Sequence, residues 1–333
     1  MIHYIGMDAH SSSCTFCITD ALGREIETVT LQTNGKIIKN YLRSFKGHKQ
    51  LTFEECELSR WLFGIINQEV DKLIICNPVA NKEYKKAKTD KLDARKLAKL
   101  LRGGFLTPVF HDGSERERFR NLMSSYQDVV DEGVRLKNRY KSLFRKNGQR
   151  KRGVTLYNDE SLLEGLPRGE DRFIGSHLYR LLTVIEESRN AYVKEITLYS
   201  NKFKELKLLT SIPCIGIIQA AKIVSQVVNP NRFATKYKYY SYCGLVRHTR
   251  TSADRNYGTA KIWGNRVLKC VYKMAGHAVL NGNSQLRVYY DDLRQRGISH
   301  DNAYNAVCRK IAAISLSLWK HNKRYNEKMV RAI

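Results

Sequence analysis

Four acids in the first hundred residues have types and spacings that could do chemistry. Asp8 closes an apolar run over residues 2–7, and Glu54 closes another over residues 51–53. Asp90 and Asp93 stand three apart in residues 88–101 (KTDKLDARKLAKLL), which hold no Gly or Pro and read as a helix. Their carboxylates then lie on neighbouring turns of one helical face. Four carboxylates brought to one place repel one another unless cations are bound. The natural occupant is a pair of Mg²⁺ or Mn²⁺ ions working on a phosphodiester. Glu55 and Glu57 follow Glu54 closely, so Glu55 stays open as the second acid. The Asp90/Asp93 segment is also rich in cations, with Lys82, Lys85, Lys86, Lys88, Lys91, Arg95, Lys96 and Lys99. Lysines hold phosphates, so acids and lysines together suit a metal site pressed against a polyanion. The plain structural alternative is a solvated helix carrying Asp–Lys pairs.

The elements that must deliver these acids can be read in order. Residues 2–7, 14–19 and 25–32 form three strands joined by the polar turns 9–13 and 20–23. A helix capped by Thr33 or Asn34 runs to about Phe45, with Ile37, Ile38, Tyr41 and Leu42 at helical spacing. Residues 51–54 are the fourth strand. Ser59 is expected to cap a helix over 60–69, and residues 73–76 form the fifth strand before Asn77 and Pro78. The Asp90/Asp93 helix follows, its apolar stripe formed by Leu92, Leu97, Leu100, Leu101 and the two alanines. The order β-β-β-α-β-α-β-α is that of the RNase H-like fold, an α/β fold whose acids converge at one edge of a mixed sheet.

The 333 residues allow two or three domains with cores of their own. A formal charge of +26, from 58 Lys+Arg against 32 Asp+Glu, makes nucleic acid the expected partner. No apolar run reaches the roughly 18 residues that would span a bilayer. The first residues resemble no signal peptide, so a cytosolic protein is expected. Eight scattered cysteines read as small core residues and not as disulfides, and Cys14-x-x-Cys17 alone is not expected to bind zinc.

Beyond residue 112 the texture changes. Ser114 and Glu117 have capping-box spacing, and a long helix follows. Its basic end, residues 135–152, holds Arg145, Lys146, Arg150 and Lys151, with Tyr140 and Phe144 interleaved as stacking groups. Residues 153–172 read as a loop, and a second long helix spans about 176–208. The two helices can pair as an antiparallel coiled coil, within or between chains. Residues 210–221 (TSIPCIGIIQAA) have the form of a helix-hairpin-helix, with Gly216 where backbone N–H groups would meet a DNA phosphate. The polar, basic stretch 246–261 follows. In it Ser252 lies among Arg247, Arg250, Arg255 and Lys261, where a phosphate could be received. Helices near 265–280, 284–296 and 300–322 close the chain.

These residues resemble the DEDD transposases of the insertion sequence 110 family, relatives of the pilin-gene invertases. The resemblance rests on YIGMD at 4–8, Phe53-Glu54, DKLDAR at 90–95, and the run from Ile212-Pro213 through Gly244-Leu245 to Ser252 and Gly258. The chain departs from the family pattern at Glu55-Cys56-Glu57 and at Cys214. In the nucleophile stretch, Ser252 aligns with the family serine and Thr249 and Thr251 are the alternatives. The resemblance implies a RuvC-like domain over 1–112, a helical coiled-coil region over 113–208, and a C-terminal transposase domain over 209–333. It implies a metal site of Asp8, Glu54, Asp90 and Asp93 with Mg²⁺ or Mn²⁺, and a nucleophilic Ser252. It further implies a DNA recombinase that acts as a dimer or tetramer in a prokaryotic cytoplasm, guided by a structured noncoding RNA. Two other readings stay open: a RuvC-like junction nuclease using metal-activated water, and a nucleic-acid scaffold whose acids are structural.

Overall fold

The structure is a computed structural model that describes residues 1–80, 89–150, 153, 155–253, 255–261 and 264–332. The chain forms two compact units, residues 1–114 and 115–333.

The first unit is a mixed five-stranded sheet with helices. The strands are β1 (Ile2–Ala9), β2 (Ser13–Thr19), β3 (Glu25–Gln32), β4 (His48–Glu54) and β5 (Lys72–Cys76); the helices are α1 (Gly35–Ser44), α2 (Ser59–Ile66) and α3 (Asp90–Gly103). The sheet order is β3-β2-β1-β4-β5. β1 runs antiparallel to β2 and parallel to β4. This arrangement is compatible with an RNase H-like domain.

Strand alternation sorts the two faces. Ile5 and Met7 of β1, with Leu51 and Phe53 of β4, point into a core shared with Ile38, Leu42, Leu62 and Ile66 of α1 and α2. Gly6 and Asp8 therefore face the other way, and so do Thr52 and Glu54. That second face carries α3. Ala94 and Ala98 pack there with Cys17, the β2 partner of Gly6. A Cβ on Gly6 would collide with the Ala94 carbonyl oxygen and the Ala98 amide nitrogen. Small residues on both sides thus let α3 lie directly on the centre of the sheet.

Several local expectations need correction. Asn34 does cap α1, accepting from the Lys36 and Ile37 N–H groups. Ser59 instead lies inside α2, where its hydroxyl accepts from the Cys56 N–H of the preceding turn. Thr89 caps α3. Leu92 is exposed and leaves the apolar stripe to Ala94, Leu97, Ala98 and Leu101.

The second unit begins with two long antiparallel helices, α4 (Glu115–Lys146) and α5 (Glu170–Lys202). Lys202 Nζ lies 2.6 Å from Glu115 Oε1 at one end, and Tyr140 packs near Tyr179 towards the other. Short 3₁₀ turns at Thr155–Tyr157 and Glu160–Gly165 occupy the stretch expected to be loop. The second helix starts earlier than expected and breaks at Phe203, a buried aromatic, before α6 (Lys204–Leu209). Next come α7 (Ile217–Val227) and α8 (Lys236–Tyr242), then a hairpin of β6 (Arg247–Ser252) and β7 (Arg255–Lys261). The chain closes with α9 (Arg266–Leu280), α10 (Gln285–Gln295), α11 (His300–His321) and α12 (Met329–Ala332). One core joins Phe119, Met123 and Tyr126 of α4 to the helices as far as Val330. Tyr140 and Phe144 are fully buried with Leu136, Leu143, Leu156 and Leu163. They are core residues, not stacking groups for bases. Among the described residues no helix is long and apolar enough to cross a membrane.

The packing at Gly6 yields a direct test. Gly6→Ala should destabilise the first unit by at least roughly 1–3 kcal/mol, because the methyl meets backbone atoms that cannot rotate away. Thermal unfolding of the variant checks this, and an unchanged midpoint would show that α3 does not lie on β1 as described.

Candidate active site

Asp8 sits one residue before the end of β1, and Glu54 ends β4. Met7 pairs with Phe53, so Asp8 and Glu54 are the next residues along two adjacent parallel strands, on the α3 face. Asp90 and Asp93 occupy the first turn of α3. The structure therefore brings Asp8 together with the start of α3 at the carboxyl edge of β1 and β4.

His10 stands at the same edge. His10 Nε2 donates to Asp8 Oδ2 at 3.2 Å and lies 3.9 Å from Asp90 Oδ1. One ligand atom from each of Asp8, His10 and Asp90 can be chosen so that all three lie within 4.8 Å of one another. Carboxylates and an imidazole at such spacing fit a small divalent cation. His10 was legible in the sequence only as part of a polar turn, although its position two residues past a strand-ending acid is a usable signal. Burial pushes the Asp8 carboxyl above the ordinary aspartate range. The His10 ring opposes that rise, while Asp90 and Asp93 add to it through charge repulsion. Asp8 is thus held in a place that penalises its negative charge, as expected where a cation belongs.

Glu55 turns towards the buried ring of His111, with Glu55 Oε1 and His111 Nε2 3.5 Å apart. Its backbone N–H donates to Cys76 O. Of the basic residues expected beside the acids, Lys91 is exposed on α3. Arg95 is instead tied to β3, its Nε donating to Glu25 Oε2 at 2.6 Å. Lys88 lies outside the described residues, as do Lys82, Lys85 and Lys86.

In the second unit, Ser252 is the last residue of β6 and is exposed. What reads as a loop in the sequence is a hairpin. Ser252 pairs with Arg255 across the turn, so these two side chains share a face. Ala253 in the turn has a positive φ of 47°. β7 carries one extra residue against β6, since Thr249 pairs with Thr259 but Thr251 pairs with Asn256. Gly258, with φ +89°, lies in that bulge, where a left-handed backbone favours glycine. Arg247 pairs with Lys261 at the far end of the hairpin. Ser252 lies five residue steps along the strand from Arg247, roughly 16 Å of extended chain. Arg255, not Arg247, is therefore the arginine set beside the serine. Arg250 lies between them on β6.

Arg145, Lys146 and Arg150 are exposed at and just beyond the end of α4, while Lys151 lies outside the described residues. Gly216 caps α7, and its N–H donates to Gln219 Oε1 at 2.9 Å. That N–H is already used, so a phosphate at this helix start would meet the residues after Gly216.

The comparisons with known proteins bear on the family of the chain. Residues 5–147 match the DEDD family model of the IS110 type, described as "Transposase". Residues 206–291 match a second, described as "Transposase IS116/IS110/IS902 family". Together the matches cover more than half of the chain and include Asp8, Glu54, Asp90, Asp93 and Ser252. The class is that of the DEDD transposases. Within it, the chain belongs to the IS110 family. A relative from Streptomyces coelicolor, the "Insertion element IS110 uncharacterized 43.6 kDa protein", is 29% identical over 149 residues. That alignment covers 44% of this chain and 37% of the relative, well under two thirds of its length.

The raised Asp8 pKa fixes the sign of a stability test. A carboxyl whose folded pKa is raised stabilises the fold when protonated, and that contribution is lost as pH rises through the folded value. Asp8→Asn should therefore raise the melting temperature of the metal-free protein at pH 7. The gain should shrink as pH falls through the raised folded value and be gone below the ordinary aspartate range, where Asp8 is neutral in both states. A lower melting temperature for the variant at pH 7 would mean that the Asp8 charge is satisfied rather than strained.

Proposed function

We propose that the chain is a DNA transposase that cuts and rejoins DNA through a serine nucleophile and a DEDD metal site. The observation that carries this reading is the meeting of Asp8, Asp90 and Asp93 at one sheet edge in a chain of the IS110 family. Glu54 completes the site, because its strand places it beside Asp8 while Glu55 engages His111. Asp8, Glu54, Asp90 and Asp93 would hold Mg²⁺ or Mn²⁺, which would supply Lewis acidity to the scissile phosphate.

Ser252 acts as the nucleophile. Its hydroxyl gives up its proton as the oxygen attacks phosphorus, a phosphoserine bond forms, and one deoxyribose oxygen leaves and takes up a proton. The bond energy stays in the covalent link instead of being lost to water. Arg255, set opposite Ser252, is placed to steady charge on the phosphoryl oxygens. Arg247, Arg250 and Lys261 extend the basic hairpin along the DNA backbone.

The functional division is a RuvC-like, RNase H-fold catalytic part over 1–112, a coiled-coil part over 113–208, and a transposase part with a helix-hairpin-helix over 209–333. The partners are the DNA of the element ends and target, and a structured noncoding RNA that guides the choice of sites. The long helices would join copies of the chain into a dimer or larger assembly. Val134, Leu181 and Val184, exposed apolar residues of those helices, support that contact. The protein would work on DNA in the cytoplasm of a prokaryotic cell.

Two tests follow. Ser252→Ala should abolish covalent capture of DNA yet change stability by under about 0.5 kcal/mol, as surface substitutions do. Mixed dimers of Ser252→Ala and Asp90→Ala chains should recover some capture if serine and metal come from different chains. If Ser252→Ala cleaves DNA as well as the parent, a hydrolytic RuvC-like nuclease is the better reading. Second, replacing Arg145, Lys146, Arg150 and Lys151 with Ala should flatten the salt dependence of nucleic-acid binding. The expected loss is roughly 0.7–0.9 log units of slope per lost phosphate contact. An unchanged slope would assign those cations to a solvated surface.

A further inference from the structure

The acid site holds one residue that a four-carboxylate description does not account for. His10 follows Asp8 by two residues, and its backbone is pinned on both sides. Its N–H donates to Ser13 O, and its carbonyl accepts from Thr33 Oγ1 at 2.7 Å. The ring is thus delivered to the edge of β1 by an ordered turn. There its Nε2 stands between Asp8 Oδ2, at 3.2 Å, and Asp90 Oδ1, at 3.9 Å.

We propose that His10 is a direct nitrogen ligand of the divalent cation at this site and biases the site towards Mn²⁺ over Mg²⁺. The inference rests on reading the acids as a metal site. Ligands about 2.1 Å from an octahedral ion stand roughly 3 Å apart when adjacent and roughly 4 Å apart when opposite. The two separations from His10 Nε2 fall on that scale. As an ordinary surface ion pair the contact would contribute little, since the His10 and Asp90 side chains are 55% and 54% exposed. A lysine in the same place could only replace a cation. An imidazole can also bind one, because the nitrogen that donates to Asp8 becomes a lone-pair donor when the ring proton sits on Nδ1. Mg²⁺ is hard, keeps its waters and prefers oxygen, whereas transition-metal ions accept imidazole. One nitrogen in an otherwise carboxylate set therefore favours Mn²⁺.

The test is Mn²⁺ and Mg²⁺ binding to the full chain, with electron spin-echo spectra of the Mn²⁺ form. The parent should give the modulation of a directly bound ¹⁴N, altered when histidine is labelled with ¹⁵N. His10→Gln keeps a polar group beside Asp8 but removes the imidazole. It should lose the modulation and weaken Mn²⁺ by at least about ten-fold, the scale found even for outer-shell partners, with a smaller effect on Mg²⁺. Absence of nitrogen modulation in the parent overturns the proposal. So does an equal loss of affinity for both ions, which would make His10 a residue that only positions Asp8. Asp8→Asn separates the two levels of the argument. If it binds Mn²⁺ as tightly as the parent, the acid-site reading itself fails. If it loses Mn²⁺ while His10→Gln does not, only the role of His10 fails.

Discussion

The contact that the first unit depends on is the absence of a side chain at Gly6. The centre of β1 meets the backbone of α3 at Ala94 and Ala98, with Cys17 beside it. A helix laid on a sheet through large side chains would stand several ångströms further off. Here it lies close enough for its first turn to share charge with Asp8. Strand alternation does the rest. A residue two positions after Gly6 must face the same way, and Asp8 therefore points to the start of the helix that Gly6 admits. The placement of these acids and the packing are one constraint on this face.

The cost of that geometry is electrostatic. Asp8 is partly buried, and two further carboxylates raise the penalty for its charge. Within the described structure only modest relief is on hand, from an exposed histidine. Three other acids of the unit are satisfied. Glu69 accepts from Arg43, Asp71 accepts from the Lys49 N–H, and Glu25 accepts from Arg95. Those carboxyls are held below their ordinary ranges, by the Arg43 hydrogen bond at Glu69, the Lys49 backbone N–H at Asp71 and the Arg95 hydrogen bond at Glu25. The contrast marks Asp8 as the carboxyl among these whose charge its surroundings penalise.

The second unit shows how a large positive charge coexists with a core. The cations of α4 at Arg145 and Lys146 face outwards while Tyr140, Leu143 and Phe144 on the same turns are buried. Helical periodicity lets one segment turn its cations to solvent and still close the end of a hairpin. The β6–β7 hairpin differs, because most of its described residues are exposed. It brings no apolar face of its own, and its shape comes from the register, the turn at Ala253 and the bulge at Gly258.

Much of this was legible in the residues themselves. The five strands and the helix of Asp90 and Asp93 follow from period-2 and period-3.6 patterns, and a strand-ending acid declares its position by its neighbours. Asn34 as a cap and the long helices of 115–146 and 170–202 were readable for the same reason, because local backbone chemistry decides them. What only the tertiary structure decided is which groups meet. Leu92 fits the stripe in sequence, yet it is left exposed while Ala94, Leu97, Ala98 and Leu101 are buried. Tyr140 and Phe144 look like stacking groups among cations, yet the 3₁₀ turns near Leu156 and Leu163 cover them. Arg95 looks like a phosphate contact, yet Glu25, 70 residues away, holds it. Strand register set Arg255 and not Arg247 opposite Ser252. His10 carries no periodic signal at all; only the approach of α3 over Gly6 reveals that it stands between two carboxylates. Pattern along the chain determines local conformation, because hydrogen bonding and side-chain alternation act over a few residues. The partners of a side chain are determined by packing between distant segments, and no local pattern encodes that distance.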